Sequence, residues 1–279
     1  MSDPDRSRRC AVLGSPISHS LSPVIHRAAY RHLGLDWHYS AHDVGEADLA
    51  SFLATLDADW RGLSLTMPLK RVALDLADDA SDIARTVGAA NTLIHDGEGR
   101  WSADNTDVGG VVATLTEHGV DVTGSVCVWG GGATAASVLA ALAQMGTGAV
   151  HVHARSPQRA ASALGVAEAL GHPAAPVAWA VSEQCHEAAT TISTAPAGAV
   201  DPLVADIAER PSGRLLFDVV YAPWPTPLAA AWAAGGGTVA GGLDLLVHQA
   251  VGQVLLMTGA SVPAGVLRTA AVEAMGTRT

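Results

Sequence analysis

Apolar positions along this chain come in short runs separated by polar turns. Cys10-Ala-Val-Leu13, Leu63-Ser-Leu-Thr66, Val126-Cys-Val-Trp129, Ala149-Val-His-Val-His153, Thr190–Thr194 and Leu215–Val219 are short stretches rich in Val, Ile and Leu. That length and composition predict strands buried on both faces, as in a parallel sheet. Trp37–Val44, Val177–Ala180 and Thr238–Ala240 read as further strands, and Asn91–Ile94 with Arg100–Ala103 as a hairpin joined through Asp96-Gly97. Helical spacing is expected over Ser22–Leu33, Ala47–Leu56, Lys70–Ala77, Ser81–Val87, Asp104–His118, Leu243–Met257 and Pro263–Met275. Ser22-Pro23 suits a helix start, with Ser as N-cap and Pro at the first helical position. Tyr221–Pro227 is too rich in proline for either element.

The alternation is most complete between Ser125 and Arg159. A strand runs directly into Gly130-Gly131-Gly132, an Ala- and Leu-rich helix opens at Ala133-Thr134-Ala135, and a second strand closes a βαβ unit. Gly130 can make the tight turn, Gly132 lets backbone approach a pyrophosphate, and Ala135 is small enough for close helix–strand packing. The amides and positive dipole end at the helix start suit phosphates. Glycine-rich turns also serve strand–helix geometry alone, but the full order of elements favours a dinucleotide site.

The end of the second strand distinguishes the dinucleotide. From Val122 to Ala167 there is no Asp or Glu to bond a ribose hydroxyl; Arg155-Ser156-Pro157-Gln158-Arg159 stands there instead. Guanidinium groups donate in pairs to phosphate, so NADP is expected as the cofactor. The alternative is that two surface arginines merely start a helix.

Charge and composition narrow the partners. A net charge of −11 argues against nucleic acid or an anionic membrane surface. The apolar run after the Arg6–Arg9 cluster is too short for a signal peptide, and no run reaches membrane-spanning length, so a cytoplasmic protein is expected. Cys10, Cys127 and Cys185 lie far apart without zinc-type spacing and read as buried, inert thiols; His151 and His153 merely alternate along a strand. No metal is expected.

Polar residues stand at predicted strand ends: Ser20 and Ser22, Thr66 with Lys70 beyond it, Asn91 and Asp107. In open α/β sheets ligands collect outside the carboxyl ends of strands. Each residue has a plainer reading: Ser22 as a cap, Thr66 as a strand end, Lys70 on the surface, Asn91 in a turn, Asp107 at a helix N-terminus. Together they suit a small polyhydroxylated acid.

These segments resemble the shikimate dehydrogenase family. The resemblance rests on Gly14-Ser-Pro-Ile-Ser-His-Ser-Leu-Ser-Pro-Val-Ile-His26, Leu63–Lys70, Gly88–Thr92, Asp104–Asp107, Gly130–Ala135, Asp218–Pro223 with Thr226-Pro-Leu228, and Gly241–Ala250. The matches span nearly the whole chain in the family's order. The resemblance implies an NADP-dependent oxidoreductase that reversibly reduces 3-dehydroshikimate to shikimate in aromatic amino-acid (chorismate) biosynthesis. It also implies an α/β fold: an N-terminal α/β substrate domain (1–106 and 243–279), a Rossmann-type doubly wound dinucleotide-binding domain (107–242), and a cleft between them. By similarity, Lys70 and Asp107 are the catalytic pair. Ser20 and Ser22 bind the substrate carboxylate, Thr66, Asn91 and Gln249 its hydroxyls, with Tyr221 nearby. Gly130, Gly131, Gly132, Ala133, Thr134, Ala135, Arg155, Ser156, Arg159 and Gly242 face the cofactor. A monomer or homodimer acting on a small molecule is expected.

The chain departs from the family pattern at Ser64, Ala133 and Ala154, where Asn, Gly and Asn are usual, and in Ile192–Pro196. Two other readings stand beside the first: a quinate or aminoshikimate dehydrogenase of the same fold, and a non-catalytic nucleotide sensor. Retention of Lys70, Asp107 and the Ser20/Ser22 loop speaks against the sensor.

Overall fold

A computed structural model of the chain describes residues 7–119 and 123–276. Arg6, at the head of the basic N-terminal cluster, and Val122, at the head of the acid-free window, lie outside the described residues. The chain divides into two compact units, Met1–Thr106 with Leu246–Thr279, and Asp107–Leu245.

The first unit begins with β1 (Arg9–Gly14), α1 (Ser22–His32), β2 (His38–Asp43), α2 (Leu49–Ala54) and β3 (Trp60–Leu65). It continues with α3 (Lys70–Leu76), the two-residue β4 (Asp79–Ala80), α4 (Asp82–Val87), β5 (Thr92–His95) and β6 (Trp101–Asp104). Its sheet has the order β2-β1-β3-β5-β6-β4. β1 runs parallel to β2 and β3, whereas β5 is antiparallel to both β3 and β6. Burial follows position: in the interior strands β1 and β3 nearly every residue is covered, while in the edge strand β2 Tyr39 alone is buried. Leu13, Leu63, Leu65, Leu69 and Leu93 share one core cluster, each contributing about 1.5–3 kcal/mol by leaving water. The β5–β6 connection is longer than a two-residue turn: the Asp96 amide bonds Arg100 O, and the Asp96 carboxylate accepts the amides of Glu98 and Arg100. An aspartate can thus organise a loop by copying a backbone turn.

The second unit is built from α5 (Thr106–Glu117), which starts one residue before it, β7 (Val126–Trp129), α6 (Ala133–Met145), β8 (Val150–His153), α7 (Pro157–Ala169) and β9 (Ala174–Val177). α8 (Glu183–Glu187), β10 (Thr190–Ser193), α9 (Val204–Ile207), β11 (Leu215–Asp218), α10 (Pro227–Ala234) and β12 (Thr238–Gly241) follow. α11 (Gly242–Thr258) carries the chain back to the first unit, where α12 (Ala264–Gly276) packs on α1. The sheet order is β12-β11-β10-β7-β8-β9, with every neighbour parallel. The chain starts mid-sheet at β7, winds outward to β9, then returns to β10 beside β7. That is the doubly wound arrangement, with its switch point between β7 and β10.

One strand is displaced from its predicted place. The apolar run Val177–Ala180 suggests a strand, but pairing with β8 puts it at Ala174–Val177. An edge strand tolerates Pro176, and Trp179 is thereby released to pack edge-on against Trp129 at 5.3 Å. Among the described residues no helix is long and apolar enough to cross a membrane.

Candidate active site

The register of the first sheet gathers four chain segments at one edge. Leu13 lies beside Leu65, Ser64 beside Thr92, and Thr92 beside Asp104. The ends of β1, β3 and β6 and the start of β5 therefore share that edge, which brings together the Ser15–Leu21 loop, the Thr66–Leu69 turn, Asn91 and Thr106. Close approach is permitted by Gly14: a Cβ there would stand 2.3 Å from Thr66 Cγ2 and 2.9 Å from Met67 O. The Thr66 amide bonds Leu13 O at 2.9 Å and the Ser15 amide bonds Met67 O at 3.0 Å, which ties the loop to the turn. Lys70 is the first residue of α3, half-buried, and its carbonyl accepts the Ala90 amide at 2.7 Å.

Asn91 is buried and almost fully bonded. Its Oδ1 accepts the Thr106 amide and the Thr92 hydroxyl, both at 2.8 Å, and its Nδ2 donates to Thr106 Oγ1 at 2.9 Å and to Gln249 Oε1 at 3.3 Å. Gln249 is oriented in turn by donating to Leu246 O at 2.8 Å. A further residue, absent from the sequence-based site, underlies this pair. Gln253, one turn along α11, donates to Asn91 O at 3.0 Å and to Thr92 Oγ1 at 3.1 Å. Its Oε1 accepts from Ser64 Oγ at 2.8 Å, and Ser64 accepts from Tyr39 OH at 2.6 Å. Ser64, one of the departures from the family pattern, is thus a two-way relay between two longer side chains. The i, i+4 spacing of Gln249 and Gln253 is the sequence signal that points to both.

Ser22 does not cap α1. The N-cap is Leu21, without a side-chain cap bond, and Ser22 is the first helical residue, with its own amide donating to Ser20 Oγ at 3.2 Å. Ser20 therefore does the local backbone work that the sequence assigns to Ser22. Ser22 is buried, and its carbonyl faces His26 Nδ1 at 2.9 Å. A carbonyl only accepts, so Nδ1 carries the proton. Burial pushes the His26 pKa down to about 4 against that bond, and the ring stacks on Tyr39 with centroids 4.1 Å apart.

In the second unit the glycine turn follows β7. Gly130 has φ +125°, and a Cβ there would stand 2.2 Å from Thr194 Oγ1. A Cβ on Gly131 would be 2.3 Å from Arg159 O, so the turn lies directly on the start of α7. Gly132, the N-cap of α6, has no atom within 4 Å of where a Cβ would be. The first two glycines are required by protein backbone; the third borders open space at the N-terminus of a thirteen-residue helix with no acidic residue in its first turn. Such a cradle fits a pyrophosphate. Ala133 and Thr134 open that helix half-buried, and Ala135 is fully covered.

Arg155 and Arg159 are exposed just beyond β8, and the Arg155 guanidinium lies over Trp179, 5.3 Å from the ring. Ser156 is the N-cap of α7 and accepts the Arg159 amide at 3.4 Å. Both plain functions, helix start and cap, are real, yet both guanidiniums stay at the surface where a phosphate can meet them. Tyr221 follows β11 on a loop held by Asp218, which accepts from Thr226 Oγ1 at 2.7 Å and from the Val220 amide at 3.2 Å. Burial raises the Asp218 pKa. Gly242 opens α11; a Cβ there would stand 2.1 Å from Val219 O. Asp107 is buried in the first turn of α5. Ser20, Ser22, Thr66, Lys70, Asn91 and Gln249 thus belong to the first unit, and Asp107, Gly130–Ala135, Arg155, Ser156, Arg159, Tyr221 and Gly242 to the second.

Cys127, His153 and Cys185, remote in sequence, converge inside the second unit. His153 Nε2 lies 3.0 Å from Cys185 Sγ, and its Nδ1 lies 2.9 Å from Ala178 O. His153 is therefore a fully buried, bonded side chain, not a passive alternation along β8.

Residues 12–93 match the family model described as the shikimate dehydrogenase substrate binding domain. Over 268 residues the chain is 35% identical to the protein named shikimate dehydrogenase (NADP(+)) from Sphingopyxis alaskensis, covering 95% of this chain and 96% of that one. Shikimate dehydrogenase from Mycobacterium tuberculosis superposes with a TM-score of 0.87 at 37% identity, covering 95% of this chain and 99% of that one. The Thermus thermophilus shikimate 5-dehydrogenase solved with NADP(H) and shikimate has a TM-score of 0.85 at 34% identity, covering 96% and 99%. Since similarity at this level runs through the mixed sheet, the glycine turn and α11 alike, the chain belongs to the shikimate dehydrogenase family.

Proposed function

We propose that the chain is an NADP-dependent shikimate dehydrogenase that reversibly reduces 3-dehydroshikimate to shikimate. The observation that carries this reading is the sheet edge of the first unit. There the hydroxyls of Ser20, Ser22 and Thr66, the amides of Asn91 and Gln249, and the Lys70 segment gather within one unit of a chain that is similar to such enzymes from end to end. Donors and acceptors in that mixture suit a ring bearing a carboxylate and several hydroxyls.

The first unit takes the substrate role and the second the NADP role. Ser20 and Ser22 hold the carboxylate, and Thr66, Asn91 and Gln249 bond the ring hydroxyls; the family resemblance counts Tyr221 among the substrate-binding residues. The glycine turn Gly130–Gly132, the α6 start Ala133–Ala135 and Gly242 receive the cofactor. Arg155, Ser156 and Arg159 receive its 2′-phosphate, a choice supported by the absence of any acid between Val122 and Ala167. NADPH, when bound, supplies the hydride. Lys70 holds a proton on Nζ, donates it to the carbonyl oxygen as charge builds there, and takes it back in the reverse direction. Asp107 is the other member of the proposed catalytic pair.

Initial rates with shikimate, quinate and aminoshikimate, each with NADP and NAD, test the reading. Turnover of shikimate with NADP should exceed every other combination. Absence of turnover with all three would leave a nucleotide sensor, and a preference for quinate would move the chain to a sister activity.

A further inference from the structure

We propose that Cys127, His153 and Cys185 form a binding site for zinc within the second unit. The three side chains come from β7, β8 and α8, and their donor atoms all lie within 4.8 Å of one another. Zinc takes thiolate sulfur at about 2.3 Å and imidazole nitrogen at about 2.0–2.1 Å, so donors of one tetrahedral ion stand about 3.5–3.8 Å apart. The 3.0 Å between His153 Nε2 and Cys185 Sγ and the 4.8 Å limit on all three donors bracket that spacing. Two sulfurs and one imidazole are also the donor set that zinc prefers over the oxygen-seeking cations.

The histidine is already oriented for the task. His153 Nδ1 faces the carbonyl of Ala178 at 2.9 Å and so carries the proton, which leaves the Nε2 lone pair toward Cys185 Sγ at 3.0 Å. A ligating imidazole that donates its other N–H to a backbone carbonyl is the usual arrangement at protein metal centres. Stacking on Trp129, with centroids 4.2 Å apart, holds the ring plane. The segment bearing Cys185 is anchored as well: Arg214 donates through Nε to Ala188 O at 2.6 Å and through Nη2 to Cys185 O.

Charge favours the ion over an empty cluster. A zinc ion replaces both thiol protons, and two thiolates with one divalent cation leave no net charge among Trp129, Leu216 and Trp232. Three protein donors leave the fourth position to an exogenous ligand, as in an open zinc site.

Titration of the reduced, full-length protein with cobalt(II) as a spectroscopic probe tests the site. One equivalent should give a sulfur-to-cobalt charge-transfer band and the visible bands of a tetrahedral ion, and one equivalent of zinc should remove both. Cys127→Ser and Cys185→Ser should each weaken binding by at least about tenfold, while Cys10→Ser, which alters the thiol of the first unit, should leave it unchanged. Zinc X-ray absorption on the wild-type protein covers the case of a variant that does not fold: two sulfurs and at least one nitrogen are expected around the ion. A reduced protein that gives no charge-transfer band, a band that survives in both variants, or a zinc shell without sulfur would each overturn the proposal.

Discussion

Ser22 and His26 show how one turn of helix serves two purposes. Because Leu21 occupies the N-cap position and the Ser22 hydroxyl makes no cap bond, Ser22→Ala should leave the melting temperature nearly unchanged. Its effect should be a raised KM for shikimate with little change in kcat, since carboxylate contacts remote from the reacting carbon are alike in ground and transition states. A drop of several degrees with unaltered KM would return Ser22 to a structural role. His26 is predicted to give the fold an acid-sensitive contact. Its folded pKa, about 4, lies below the ordinary value of 6.5, so the unfolded chain binds the proton first as pH falls. The sign follows: stability is complete above about pH 6.5 and is lost progressively down to about pH 4, by about 3 kcal/mol in all. His26→Asn keeps a donor toward Ser22 O but cannot titrate. Urea unfolding at pH 7, 5.5 and 4.5 should show a smaller decline for the variant than for the wild type.

At the scale of single elements, the glycine turn and α11 make separable predictions. Gly131→Ala puts a Cβ 2.3 Å from Arg159 O, so the start of α7 must shift, and both stability and NADP affinity should fall. Gly132→Ala meets nothing within 4 Å and should fold normally while losing cofactor affinity, because the methyl enters the open space proposed for phosphate. Thermal melts paired with NADP titrations read the contrast; equal behaviour of the two variants would remove the cradle argument. In α11, Gln253→Leu strips a partner from Ser64 Oγ, Asn91 O and Thr92 Oγ1. Asn91 O keeps the Leu65 amide, Ser64 Oγ keeps Tyr39 OH and Thr92 Oγ1 keeps Asn91 Oδ1, so each site loses one buried hydrogen bond, worth about 0.5–1.5 kcal/mol. Beyond that loss, loosening the backbone at Asn91 should raise KM for shikimate more than KM for NADP, a split that a general packing defect does not produce. The same logic explains why Ser64 works in place of a longer amide: Tyr39 and Gln253 reach it from both sides.

For the molecule as a whole, the decisive prediction concerns the proposed catalytic residues Lys70 and Asp107. Lys70→Ala should lower kcat about 10²–10⁴-fold with near-normal affinity for shikimate and NADP, since in the proposed mechanism its proton is needed only as charge develops on the carbonyl oxygen. Asp107→Asn should also lower kcat. The double variant should lose less than the product of the single losses, as residues acting as a unit do. Single-turnover rates with directly measured affinities decide it: near-normal kcat with a greatly raised Kd in Lys70→Ala would make Lys70 a binding residue only.

The order of strands and helices, the glycine turn after β7, the acid-free window around Arg155 and Arg159, and the family itself were legible in the chain because each depends on a few adjacent residues. Strand length, helix caps and a positive φ at Gly130 are local demands, written locally. Even so, local signals misplaced β9 by three residues, since pairing with β8 set its register, and they made Ser22 a cap when the loop from β1 delivered Ser20 to that task. The bonds that organise Asn91 reach Gln249 across 158 residues and Gln253 across 162. Cys127, His153 and Cys185 meet because β7 and β8 are neighbours in the sheet and α8 packs beside β7. No spacing rule within the sequence contains those encounters. They follow from which strands pair and which helix covers them, and burial of the whole core decides that at once.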